Sequence, residues 1–136
     1  MEQKDYLLRE VEKIGAAIRA IYQKIFGGNA NSAITLEHQI ENAKGQLLSE
    51  TNFDLDKFLE LNTDESNEYI LRFEGFSVEN IELLAKCVSE IGFSEKCENS
   101  KKYLEKALQL YDLCNLKGKT YSMEREANIT AIKNVL

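Results

Sequence analysis

His38 is the only histidine of the chain, with Glu37 beside it and Glu41 three residues further on. An imidazole next to carboxylates can act as a general base or a metal ligand. A lone histidine removes every metal motif that needs two, and every Cys/His or Ser/His pair not using it. On a polar helix face, the expected role of such a histidine is a surface ion pair. Cys87, Cys97 and Cys114 leave no CxxC spacing for zinc or for redox work, and their place among apolar residues predicts buried, reduced thiols. Gly118-Lys119-Thr120 has the ending of a phosphate-binding loop. That loop needs a glycine where the chain has Leu113, and a preceding strand where the pattern is helical. The carboxylate pairs Glu37/Glu41 and Glu95/Glu98 sit with polar residues, where nothing displaces a proton affinity for acid–base work. No catalytic residue, cofactor or metal ligand is therefore expected.

The elements that would carry any site all read as helices. From Asp5 to Phe26 the residues Leu7, Val11, Ile14, Ile18, Ile21 and Ile25 alternate steps of four and three, which lines them along one side of a helix. Gly27-Gly28 supplies its stop, with a left-handed backbone expected there. Leu36, Ile40, Ala43 and Leu47 repeat the spacing and predict an antiparallel second helix, which Gly45 weakens. A connector over 50–76 carries Leu55, Phe58 and Leu59 behind an Asp54 cap, then Tyr69, Ile70 and Phe73 behind a Thr63 cap, up to a stop at Gly75. Ser77 caps a helix through Ile81, Leu84, Ala85, Val88 and Ile91 to Gly92. Ser94 opens the next, through Cys97, Ser100, Leu104, Ala107, Tyr111 and Cys114 to Gly118, and Ser122 opens the last. No segment alternates with a period of two, and proline is absent. The expected fold is all-α, with antiparallel helical hairpins forming one domain over 1–136: a hairpin over 4–49, the connector, and further helices over 77–136.

A chain of 136 residues is the size of one domain and needs no disulfide to hold it. A net charge of -6 argues against a nucleic-acid partner, whose binding depends on concentrated Lys and Arg. The densest basic group, Lys101, Lys102, Lys106, Lys117, Lys119 and Arg125, is interleaved with acids and reads as a solvated surface. No apolar run approaches the roughly 20 residues that span a bilayer, and the N-terminus lacks a signal-peptide pattern, so the expectation is a cytoplasmic protein with no membrane partner.

From Ser77 onward the chain resembles a tetratricopeptide repeat. Leu84, Ala85 and Val88 match the first helix of that unit, Gly92 its turn, and Ser100, Leu104 and Ala107 its second helix, with YLEKALQLYD over 103–112 the most similar stretch. Val88 replaces an aromatic, the turn is longer than the family's by three residues, and no proline closes the unit. QKDYLLREVEKIG and KTYSMEREANITAIK are also similar to segments of small, uncharacterised helical bacterial proteins. The tetratricopeptide resemblance implies a short array of hairpins and a non-enzymatic interaction or scaffold role, its groove open to a peptide or helix. The rival expectation is a small ligand-binding protein or enzyme with its site at His38. A further expectation is self-association through the first helix, because Tyr6, Leu8, Tyr22 and Phe26 flank its stripe as surplus apolar side chains.

Overall fold

The computed structural model describes residues 2–27, 36–94, 99–118 and 120–136, which carry seven α-helices and no strand. They are α1 (Glu2–Tyr22), α2 (Leu36–Thr51), α3 (Leu55–Glu60), α4 (Thr63–Leu71), α5 (Val78–Phe93), α6 (Ser100–Lys117) and α7 (Met123–Val135). α1 and α2 form one antiparallel pair and α5 and α6 another, and α1 also lies against α5. One apolar core takes side chains from all of the helices, from Ile14 through Leu47, Phe58, Ile70, Leu84 and Tyr111 to Ile132.

α1 continues past Tyr22 into a π-helical turn, Gln23–Gly27, whose wider winding still buries Ile25. Gly27 closes that turn without the left-handed backbone expected of it; Gly28 lies outside the described residues. Along the stripe, Ile14, Ile18, Ile21 and Ile25 are buried, whereas Val11 is half-buried and Leu7 exposed. Geometry explains the break. Every residue of α1 from Lys4 to Arg9 is exposed, so its neighbours cover it only from about Glu10 onward. The body meets α1 at Glu10–Ile14, where a Cβ added to Gly75 would lie 2.5 Å from the Glu10 carbonyl oxygen and 2.6 Å from Ile14 Cδ1. Gly75 is thus a point of close approach as well as a break after α4. Asn80, buried at the start of α5, fastens the joint: its Nδ2 donates to the carbonyls of Val11 and Gly75, each at 2.8 Å. Gly15 leaves room for it, since a Cβ there would stand 2.8 Å from Asn80 Oδ1.

The connector is an aromatic joint. Phe53 is fully buried, with the rings of Phe58, Tyr69, Phe73 and Phe76 at centroid distances of 5.3–5.7 Å, the tilted and edge-on spacing that aromatic pairs favour. Asn52 takes the left-handed conformation, φ 66°, that ends α2 and turns Phe53 inward. Asp54 caps α3 as expected, accepting from Lys57 N at 3.1 Å. α4 is capped by Asn62 and not by Thr63: Asn62 Oδ1 accepts from Glu65 N at 2.8 Å and the Glu65 carboxylate accepts from Asn62 Nδ2.

Ser77 and Ser122 cap α5 and α7 as expected, and Gly118 ends α6. Gly92 and Ser94 differ from expectation. α5 runs through Gly92 to Phe93, and Ser94 closes it, donating its N–H to the Ile91 carbonyl at 3.1 Å. Gly92 lies inside the helix, and a Cβ there would lie 2.8 Å from Leu104 Cγ and 3.1 Å from Leu104 N, so the hydrogen side chain lets α6 approach. Cys97, Glu95 and Glu98, expected near the start of α6, lie outside the described residues.

Candidate functional site

The four surplus residues of the first helix do not form one patch. Tyr6 and Leu8 lie at one end of α1; Tyr22 and Phe26 lie at the other, some 24 Å away at 1.5 Å per residue. Tyr22 and Phe26 pack on each other, ring centroids 5.2 Å apart, and partly on the core. The Tyr22 hydroxyl is also held to α5: its hydrogen bond to the Glu90 carboxylate, together with burial, raises the phenol to about 12, and Lys86 Nζ stands 5.3 Å from the ring centre. At the free end every residue from Lys4 to Arg9 is exposed, Tyr6, Leu7 and Leu8 by 52%, 42% and 53%. Leu7, read from the sequence as the first residue of the apolar stripe, belongs to this surface.

Two of the cations read as solvated surface are buried: Lys106 and Arg125 are each only 6% exposed. Both follow helical spacing that the charge pattern hides. Lys106 has Tyr103, Leu110 and Leu113 at i-3, i+4 and i+7, and Arg125 has Ile129 and Ile132 at i+4 and i+7, all of them buried. Arg125 joins three segments. Its Nη2 and Nε donate to Glu82 Oε1 of α5 at 2.6 and 2.9 Å, and its Nη1 donates to Asn115 Oδ1 of α6 at 2.9 Å and to the Thr120 carbonyl at 3.5 Å. This fan borders a cleft of about 700 Å³ between α1, α5 and α7, with Tyr111 on its wall. Burial pushes Tyr111 up to about 12 although Asn128 and Ser89 hydrogen-bond it.

Among the described residues no carboxylate forms an ion pair with Lys106. Its Nζ donates to the Leu61 carbonyl and to Ser66 Oγ, and to Gln109 Oε1 at 3.4 Å; the Phe58 ring centre is 5.0 Å away. All of these partners are neutral. The carboxylate that acts on it, Glu60, is bridged at 2.7 Å by Lys102, one turn earlier on α6. Burial lowers the proton affinity of Lys106, Lys102 lowers it further, and Glu60 opposes both. Lys106 lines a cleft of about 540 Å³ between the α3–α4 joint and α6, with Leu61, Leu108, Leu113 and Leu116 as apolar lining and Asn62 and Thr63 as polar lining.

His38 is exposed on α2. Cys87 and Cys114 are buried free thiols, both pushed up to about 12 by burial, Cys114 in contact with the Val78 carbonyl at 3.7 Å. A thiol so held is a poor nucleophile near neutral pH. Among the described residues no group of His, Cys, Asp and Glu is arranged to hold a metal ion, and no helix is long and apolar enough to cross a membrane. The Gly118 end of α6 follows a helix, not a strand, and Lys119 lies outside the described residues. No protein-family model, curated protein or solved structure matches this chain. The fold class is all-α with antiparallel helical pairs, and the chain's own surfaces supply the case for its function.

Proposed function

We propose that the chain is a non-enzymatic helical interaction module that makes contact through the projecting end of α1. The observation that carries this is the exposure of three consecutive large apolar residues, Tyr6, Leu7 and Leu8, on a helix whose later stripe is spent on its own core. At 100° per residue they cover about 200° of the helix circumference, more than the stripe of about 100° that one facing helix covers. The shape suits insertion between two helices of a partner, and self-association is the form of the reading that purified protein tests. The α5–α6 pair enters the proposal as a tetratricopeptide-like hairpin; the close approach of Gly92 to Leu104 and the complete burial of Ala107 and Tyr111 support it. The rival site at His38 gains no support from an exposed imidazole.

Light scattering over a concentration series is the test. The average mass of the wild type should rise with concentration, and Leu8→Glu should remain monomeric with unchanged helicity. A wild type that stays monomeric throughout overturns self-association. Capture experiments with the intact chain then address other proteins: loss of a stoichiometric partner in Leu8→Glu supports the module, and absence of any partner overturns it.

A further inference from the structure

We propose that the cleft between α6 and the α3–α4 joint binds a small aldehyde and that Lys106 captures it as an imine. A lysine amine becomes a nucleophile near neutral pH when it is desolvated or set beside another cation, and Lys106 meets both conditions, buried and one turn from Lys102. Its contacts suit either protonation state. The ammonium donates to the Leu61 carbonyl, Ser66 Oγ and Gln109 Oε1; the neutral amine gives up one of these bonds, and the position freed on nitrogen is the lone pair that attacks. Among the described residues no carboxylate forms an ion pair with the amine: Glu60 is engaged by Lys102 and Glu105 faces Lys101 at 4.0 Å.

The chemistry balances without an oxidant or reductant. The ammonium first gives a proton to solvent. The nitrogen lone pair then adds to the carbonyl carbon, the C–O π bond opens to a carbinolamine, and the two amine hydrogens leave with the carbonyl oxygen as water. Leu108, Leu113 and Leu116 offer the aldehyde's tail an apolar wall, which selects for chain length as well as for the reactive group.

The intact chain is treated with acetaldehyde, propanal or butanal at neutral pH with cyanoborohydride, which fixes imines as alkylamines, and the labelled lysines are mapped by mass spectrometry. Lys106 should be labelled several-fold faster than exposed Lys101 and Lys117. The ratio of Lys106 to Lys101 labelling should also rise with tail length, by up to about fourfold for each methylene buried. Lys106→Arg, which keeps charge and donors, should lose this label alone. Labelling of Lys106 no faster than of Lys101 overturns the reactive amine, and a ratio independent of tail length overturns the binding cleft. Both readouts use the wild type, so neither depends on a variant folding.

Discussion

One chemical change, glycine to alanine, should have opposite effects at two helical positions. In a helix interior the substitution favours folding by about 1 kcal/mol, because glycine loses more backbone freedom on ordering. At Gly45 in α2 an added Cβ meets nothing within 4 Å, so Gly45→Ala should realise that whole gain. At Gly92 the Cβ would lie 2.8 and 2.9 Å from Leu104 Cγ and Cδ2 and 3.1 Å from Leu104 N. The leucine can rotate, but the backbone nitrogen moves only if α6 moves, and such overpacking costs about 1–3 kcal/mol. The net effect of Gly92→Ala is therefore destabilisation of up to about 2 kcal/mol. In a domain of this size each kcal/mol shifts the melting temperature by about 3–5 °C, so thermal unfolding followed by circular dichroism resolves the two variants. A Gly92→Ala protein as stable as Gly45→Ala would refute the close α5–α6 approach.

Ile18→Glu should abolish folding, because it puts a carboxylate in the core, whereas Leu7→Glu should change stability by less than about 0.5 kcal/mol and reduce association; circular dichroism and light scattering separate the two. Glu82→Leu should cost about 3 kcal/mol in denaturant titration by leaving the Arg125 guanidinium without its carboxylate, and Arg125→Met in the same chain should recover much of the loss. The lowered proton affinity of Lys106 in the folded state means the unfolded chain binds more protons between that value and the ordinary 10.5. Wild-type stability should therefore rise relative to Lys106→Met as pH climbs from neutrality through that window, measured by urea titration at several pH values.

The helices were legible in the sequence because each repeats its apolar residues at helical spacing and several begin at a side chain able to cap: Asp54, Ser77 and Ser122 all do so. The glycines were harder to read. Gly75 and Gly92 carry the same letter as a helix stop, and only the approach of Glu10 or Leu104 from far along the chain shows that their missing side chains admit a neighbour. Leu7 joins the stripe in sequence yet lies outside the core, because a stripe records which side of a helix is apolar, not where the neighbouring helices end. Phe53 and Phe76 escaped notice as core residues because they lie in turns, outside any periodic run, yet Phe53 is the centre of the aromatic joint.

Lys106 and Arg125 present the same conflict, a cation in an apolar stripe, and the fold resolves it differently for each. Arg125 sits where a planar fork can meet the Glu82 carboxylate, the Asn115 side chain and the Thr120 carbonyl together, so its burial is matched by a counter-charge and serves to tie α7 to α5 and α6. Lys106 receives neutral hydrogen-bond acceptors and, among the described residues, no ion pair; Glu60, which acts on it from a distance, is bridged by another lysine. Stability alone would be served as well by an apolar side chain of similar length, since burying a charge without a partner is costly. A guanidinium there would hold its proton at any physiological pH, whereas an amine can release it. The residue type at position 106 thus retains a proton-dependent nucleophile at the wall of a cleft, which is the property that aldehyde capture requires.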